Sequence, residues 1–351
     1  MISFLHKDHL LTDMSNIILV DFDTIENWSF IAILKKISGE PWCVGKKITN
    51  KLQVKSQNVK RYFWYFIYPL IIVCKRRNYG KIIAWQQFYG LNFAFFMKLF
   101  NLQKTNELTV MTFIYKKKTG FKGMVYHKYM SYIVKSKYID RFICFAKEEC
   151  DYYAEIFNVD KNKFMYVPLG VIILNANVDK GDDGFVFAVG RSNRNYDFLI
   201  KTMKDTSYKV IIACDNYKNA GTFPNIKVLN DCQNQDMINI MARCHCVVVP
   251  LNDLNVSSGQ LVVLQAMALG KPVICTKSDG IKDYVVNGKT GFLVKNTQDE
   301  WLNALEKLYS DMDDYNKMGK CAVELYNEKF TEEAMFKRIA KIINNKDEKD
   351  C

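Results

Sequence analysis

Residues 256–274 constrain the fold more than any other stretch of the chain. They read Val-Ser-Ser-Gly-Gln-Leu-Val-Val-Leu-Gln-Ala-Met-Ala-Leu-Gly-Lys-Pro-Val-Ile. The apolar run 246–251 before them predicts a strand entering a short polar loop. The pattern then predicts a helix from near Ser258 to Gly270, with Pro272 opening the next strand. A strand, loop, helix and strand in this order build a parallel sheet covered by helices, so the chain reads as α/β. Ser257 and Ser258 are N-cap candidates, and Gly259 lets backbone approach a ligand closely. A helix start of this kind offers free N–H groups and the positive end of a dipole, which suits a phosphate. Gln265 lies two turns in, near the face of the loop residues. An ordinary buried βαβ unit would show the same pattern, so pattern alone does not make this a site.

A chain of 351 residues, 49% of them hydrophobic, can bury two ordinary cores. The net charge of +12 is unevenly spread: residues 41–139 hold 19 lysines and arginines against one acid, Glu107. That window carries +18, which leaves a net −6 on the rest. Such asymmetry points to a polyanionic partner, namely phospholipid, a phosphorylated lipid carrier or nucleic acid. Plain solubility explains the net charge but not the near absence of acids over so long a window. Residues 1–11 carry charges and no sustained apolar core, so no secretory leader is expected. The 11 cysteines include no Cys-x-x-Cys, and Cys244-His245-Cys246 lacks a second ligand pair. Reduced, mostly buried thiols in a cytoplasmic protein are expected, with no metal site and no resident cofactor.

In the basic half, 16–22 reads as the first strand and 26–36 as a helix. Asp21 and Asp23, two apart in a strand, would share a face and invite a metal reading. A capping or turn role competes with that, and a base role for Asp23 is a further candidate. Residues 62–74, Tyr-Phe-Trp-Tyr-Phe-Ile-Tyr-Pro-Leu-Ile-Ile-Val-Cys, lie between Arg61 and Lys75-Arg-Arg. They are too short for a bilayer span, which needs about 20 residues, and Pro69 interrupts them. Aromatic residues with basic flanks suit the headgroup level of an anionic membrane; a buried helix with a charged exit is the alternative. A strand at 81–85 is followed by a predicted loop, 86–90, and a helix, 91–102. The strand 107–114 leads into Lys116, Lys117 and Lys118 and two glycines, a loop able to grip an acceptor or lipid phosphate. A solvated loop is the ordinary alternative. His127, alone on the following helix, reads as structural.

A second series of strands and helices begins at 185–190 and continues through strands at 208–214 and 225–230. Its first strand ends in Gly190-Arg191, with Arg194 close behind. Guanidinium forks placed between a strand and a helix can stabilise an anion, and a solvated edge is the alternative. After the organising helix come a strand at 272–276, Asp283-Tyr-Val-Val-Asn-Gly-Lys-Thr-Gly-Phe-Leu-Val, and three helices ending near Asn345.

The segment 256–274 resembles the donor-site helix of retaining glycosyltransferases with the GT-B fold, especially family 4. There a Glu-x7-Glu pair brackets the helix start, before Ala-Met-Ala-x-Gly-Lys-Pro-Val-Ile. The tail matches closely here, but Ser257 and Gln265 stand where the glutamates would be. The Asp283–Val294 run and the Val167-Pro-Leu-Gly170 segment echo the family too, and the resemblance covers roughly residues 141–345. It implies an α/β, GT-B chain of two Rossmann-like domains facing across a cleft. Residues 1–168 would form the basic, acceptor-binding domain and 169–328 the nucleotide-sugar domain. Residues 329–351 would be a helix crossing back, with a frayed tail. It also implies donor binding by Gly190, Arg191, Arg194, Leu229, Ser257, Ser258, Gly259, Gln260 and Gln265, with retention and no metal. Gln265 would hold the ribose hydroxyls through an amide. The expected partners are a nucleotide-diphospho-sugar donor, a glycan or lipid-linked acceptor of cell-surface polysaccharide or lipopolysaccharide synthesis, and an anionic membrane touched from its inner, cytoplasmic face. A catalytically silent GT-B-like subunit is the competing reading, favoured by Ser257 and Gln265. Nucleic acid is not expected, because no nucleic-acid motif accompanies the charge.

Overall fold

The structure, a computed structural model, describes residues 14–24, 28–47, 58–173, 179, 181–215, 217, 221–232 and 235–345. The reading of residues 1–11, the start of the predicted helix at Glu26 and the tail 346–351 lie outside the described residues. The chain divides into two compact units. One comprises Met1–Ile143, Tyr153–Met165 and Ala340–Cys351; the other comprises Cys144–Tyr152 and Tyr166–Ile339.

The first sheet has six strands: β1 (Ser15–Val20), β2 (Trp42–Lys46), β3 (Tyr79–Ala84), β4 (Glu107–Val110), β5 (Arg141–Cys144) and β6 (Phe164–Tyr166). Their order is β2-β1-β3-β4-β5-β6. The helices between them are α1 (Ser29–Ser38), α2 (Asn58–Cys74), α3 (Gln87–Leu99), α4 (Gly120–Val134) and α5 (Lys147–Phe157). The sequence pattern had not suggested β2, which pairs in parallel with β1 from Asn16↔Trp42 to Val20↔Lys46.

Three sequence expectations are corrected here. β1 ends at Val20, so Asp21 and Asp23 follow the strand and the shared-face argument for them fails. Residues 86–90 are not a loop: α3 begins at Gln87, and the Gln86 side chain accepts a hydrogen bond from the Phe88 N–H at 3.3 Å. Gly90 is there for closeness rather than for a turn. A Cβ at that position would sit 2.7 Å from both Ala84 Cβ and Val110 Cγ2, so the helix lies against β3 and β4 only without a side chain. Likewise α4 starts at Gly120, inside the stretch read as the lysine and glycine loop. The aromatic stretch is helical throughout α2, with Pro69 inside it. No helix among the described residues is long and apolar enough to cross a membrane.

The second sheet contains β7 (Phe185–Val189), β8 (Lys209–Ala213), β9 (Ile226–Leu229), β10 (Cys246–Val249), β11 (Val273–Thr276) and β12 (Gly291–Val294), in the order β12-β11-β10-β7-β8-β9. Its pairings are parallel. The helices are α6 (Tyr196–Met203), α7 (Gln235–Arg243), α8 (Gln260–Ala268), α9 (Gln298–Ser310), α10 (Met312–Lys329) and α11 (Glu332–Ile343). Strand side chains alternate between faces, so each strand feeds two cores. Phe185, Phe187, Val189, Val247 and Val249 join Val263, Ile238 and Ala322 of α8, α7 and α10. Val186, Ala188, Cys246 and Val248 join Leu199, Trp301 and Leu305 of α6 and α9 on the other face. Continuous apolar runs in the sequence are thus the mark of a sheet covered on both sides.

Candidate functional site

In the second sheet the chain runs outward from β7 through β8 to β9, then returns to place β10, β11 and β12 on the other side. The order reverses between β7 and β10. Open α/β sheets bind ligands beyond the carboxyl ends of the strands at such a reversal. The loops found there are 190–195 and 250–259. Asn193, in a left-handed conformation at φ 55, ties them together. Its amide nitrogen donates to Ser258 Oγ and to the Asp253 carbonyl, both at 2.8 Å, and its Oδ1 accepts from the Asp253 N–H at 2.7 Å. Asn252 donates to the Arg194 carbonyl at 2.8 Å, and the Asn195 N–H to Pro250 at 3.0 Å. The sequence placed Arg191 and Ser258 in one site, and these bonds bring their loops side by side.

The helix start differs from expectation. α8 begins at Gln260, and its N-cap is Gly259 at φ 91 with no side-chain cap bond. Neither serine caps it: Ser258 Oγ is committed to Asn193, and Ser257 Oγ is buried without a hydrogen-bond partner. Gly259 is dictated both by its φ and by space, since a Cβ there would lie 2.8 Å from Val249 Cγ1. The first-turn N–H groups therefore meet no capping side chain, as an anion-binding helix start requires. Gln260 Nε2, Gln265 Oε1, Ser278 Oγ and Asp215 Oδ1 are also buried without a partner among the described residues. Buried polar atoms are usually satisfied, so a cluster of exceptions marks a place where something else supplies the bonds.

Beside this helix lies a cavity of about 600 Å³. Gly190, Arg191, Asp215 and Gln265 give its polar wall; Ile172, Ile173 and Leu261 are among its apolar residues. Arg191 is half exposed and pairs with Asp215 at 2.7 Å. Arg194 is placed differently. Its guanidinium folds back onto backbone, Nε to the Val189 carbonyl at 3.1 Å and Nη1 to Ser192 at 2.8 Å. Burial draws its pKa below the usual arginine range. Arg194 thus shapes the loop, while Arg191 faces the cavity. Leu229 does not line the cavity; its carbonyl accepts from the Cys214 N–H at 2.9 Å, and Cys232 and Gln235 reach the wall instead.

Other sequence candidates fall elsewhere. Asp23 and Lys116, Lys117 and Lys118 belong to the first unit, all exposed, with the Lys118 ammonium 4.6 Å above the Tyr126 ring. His127 bonds Tyr115 Oη at 2.9 Å and stacks on Phe157, which is a packing role. Lys271 of the Gly-Lys-Pro run is buried and donates to the Gly181 carbonyl at 2.6 Å, so it fastens a loop. The Asp283 motif is structural as well. Asp283 accepts from the Lys147 N–H at 2.9 Å at the start of α5, and Tyr284 Oη bridges Phe145 and Leu169. Among the described residues no group of three His, Cys, Asp or Glu side chains is placed to hold a metal. Asn193 and Asp215 were missed in the sequence. Asn193 had a signal, being three residues past a strand-ending glycine, whereas Asp215 is found only by the pairing of β8 beside β7.

The fold and these loops define a class: a doubly wound α/β protein of two six-stranded parallel units, with a candidate anion site at the switch point of the second. Residues 173–324 match the family model "Glycosyl transferases group 1". That match lies within the second unit, and the chain has the GT-B fold. An α-1,3/1,6-mannosyltransferase ALG2 of Dictyostelium discoideum is 37% identical over 81 residues, covering 23% of this chain and 18% of that protein. A D-inositol 3-phosphate glycosyltransferase of Corynebacterium diphtheriae is 32% identical over 108 residues, covering 30% and 25%. The chain thus spans a quarter or less of the length of these curated relatives. The crystal structure of Anabaena HepE in complex with UDP superposes with a TM-score of 0.66 at 14% identity, over 94% of this chain and all of that one.

Proposed function

We propose that the chain is a glycosyltransferase that moves a sugar from a nucleotide-diphospho-sugar to a glycan or lipid-linked acceptor. The observation that carries this is the meeting of Arg191, the uncapped start of α8 and unpartnered polar atoms at one switch point. The diphosphate lies at the first turn of α8, where free N–H groups and the Arg191 guanidinium stabilise the charge that grows on the leaving group. The nucleoside occupies the apolar wall, and Gln265 bonds the ribose hydroxyls. UDP bound to a protein of this fold supports a uridine nucleotide as the first donor to try. The acceptor binds the basic first unit, with Lys116, Lys117 and Lys118 as its phosphate contacts and α2 against an anionic membrane. The transfer retains configuration and uses no metal, with Asp23 a candidate base.

Thermal-shift screening against UDP-, GDP- and dTDP-sugars tests the donor half, because a bound nucleotide raises apparent stability by mass action. One donor should shift the midpoint, and Arg191→Ala should reduce that shift. If no nucleotide shifts the wild type, the donor assignment fails. A second reading, a silent GT-B-like binding subunit, is favoured by Ser257 and Gln265 in place of carboxylates. Donor binding without release of nucleotide diphosphate, in the presence of a membrane extract, would select it.

A further inference from the structure

Three helices of the first unit shape a feature that donor chemistry does not use. α2 and α4 both pack on α3: Phe66 meets Phe96 edge-on at 6.5 Å, and Phe95 meets Tyr129 at 5.6 Å. Between α2 and α4 runs an open trough of about 520 Å³, lined by Phe66, Phe121, Lys122, Val125, Tyr126 and Tyr129. Positions 121, 125 and 129 recur every fourth residue and so form one stripe along α4. Phe121 is 75% exposed, Val125 50% and Phe66 43%. Apolar surface gathered in a concave strip, rather than scattered singly, marks a binding site. The Tyr129 hydroxyl is turned inward, donating to Asn92 Oδ1 at 2.5 Å, so the wall presents ring carbon. Burial accordingly pushes this phenol up to about 12.

The rim is cationic. Lys122 belongs to the wall itself, and the Lys118 ammonium stands over the ring of Tyr126, another wall residue. Lys116 and Lys117 lead into the same corner, and the only acid in the surrounding window 41–139 is Glu107. An apolar trough with a cationic rim complements an amphiphile with an anionic head. From this we infer that the trough holds the hydrocarbon chain of a lipid phosphate, with its head against Lys118 and Lys122. The inference rests on the reading of a lipid-linked acceptor and narrows it, because a single chain lies within the protein instead of the protein merely resting on a membrane. The volume is within the range of about 300–1,000 Å³ that ligand sites occupy.

Calorimetric titration of the full chain with farnesyl phosphate, farnesol and inorganic phosphate tests it. Farnesyl phosphate should bind at least about tenfold more tightly than either half-ligand, since chain burial and charge pairing both contribute. Phe121→Ser with Val125→Ser should remove the advantage over inorganic phosphate. Lys118→Gln with Lys122→Gln should remove the advantage over farnesol. All four positions are at the surface, and an unchanged thermal midpoint shows that each variant is folded. The inference is overturned if farnesyl phosphate binds no better than the halves, or if the paired Ser variant binds it as the wild type does. It is also overturned if wild type binds phosphatidylglycerol vesicles but free farnesyl phosphate does not compete, or if the Ser pair abolishes only self-association. Donor binding is read separately by titrating the same samples with UDP, GDP and dTDP. Failure of all three nucleotides with intact farnesyl phosphate binding would sink the transferase reading and leave the trough, and the reverse result would do the opposite.

Discussion

Both sheets are doubly wound, with strand orders 2-1-3-4-5-6 and 3-2-1-4-5-6 counted within each, and they differ also in what stands at the switch point. In the first, the order reverses between β1 and β3, and the residues beyond those strands are Asp21, Phe22, Trp85 and Gln86. Gln86 donates to Asp21 at 2.8 Å, and the Trp85 ring packs against Phe22, Trp28 and Phe30 at centroid distances of 6.2, 5.1 and 5.6 Å. That crevice is built as a packed aromatic core. In the second, the corresponding loops carry a half-exposed arginine, an uncapped helix start and polar atoms without partners. A doubly wound sheet therefore yields a packed plug or a candidate ligand site according to a few loop residues, as expected if function is grafted on folds.

The comparison breaks most easily at Trp28, which is 6% exposed. Trp28→Ala should cost about 3–5 kcal/mol in urea unfolding, through lost burial and the cavity left behind. UDP affinity of the folded protein should not change. A loss of less than about 1 kcal/mol would show that the first crevice is not a packed core. Gly259→Val comes next. It forces a β-branched residue to φ 91 and drives a Cβ to 2.8 Å from Val249. The expected loss is about 2–4 kcal/mol in stability. UDP affinity should fall more than tenfold, because the start of α8 moves. Retained affinity in a folded variant would remove the helix start from the site.

How much of this was legible depended on which physical signal each region carries. α8 was read from sequence to within two residues at each end, because a polar loop and Gly270 bound its apolar run. The strands of the second sheet were legible as apolar runs bounded by turn residues. Gly90 misled in the first unit, where it was read as a loop and lies in a helix pressed on two strands. β2 was missed because Trp42-Cys-Val-Gly-Lys is short and half exposed, with little periodicity to show. At the candidate site, Arg191 and Gly259 were singled out because a family pattern and a place for close backbone approach fall on single positions. Asp215 was not, since its closeness to Arg191 is a property of strand order. Arg194 looked equivalent to Arg191 in sequence; the carbonyls of Val189 and Ser192 that absorb its donors are visible only in three dimensions.

Two substitutions sharpen the contrast without threatening the fold. Arg191→Ala removes a partly exposed ion pair, which contributes at most about 1 kcal/mol to stability. It should nevertheless weaken UDP binding by about 1.5–3 kcal/mol, the range of a hydrogen bond to a charged group. Asp215→Asn has the smaller and more informative effect. In the free protein the Asp215 carboxylate holds Arg191 at 2.7 Å and competes with any phosphate for it. Neutralising it removes both the competition and an anion that faces an incoming diphosphate. Repulsion between charges a few ångströms apart near a protein surface is worth about 1–4 kcal/mol before salt screening. UDP affinity should therefore rise severalfold, more at low salt than at high. If it falls instead, Asp215 is what aims Arg191 into the cavity. The site would then depend on an anchored guanidinium rather than on an excess of positive charge.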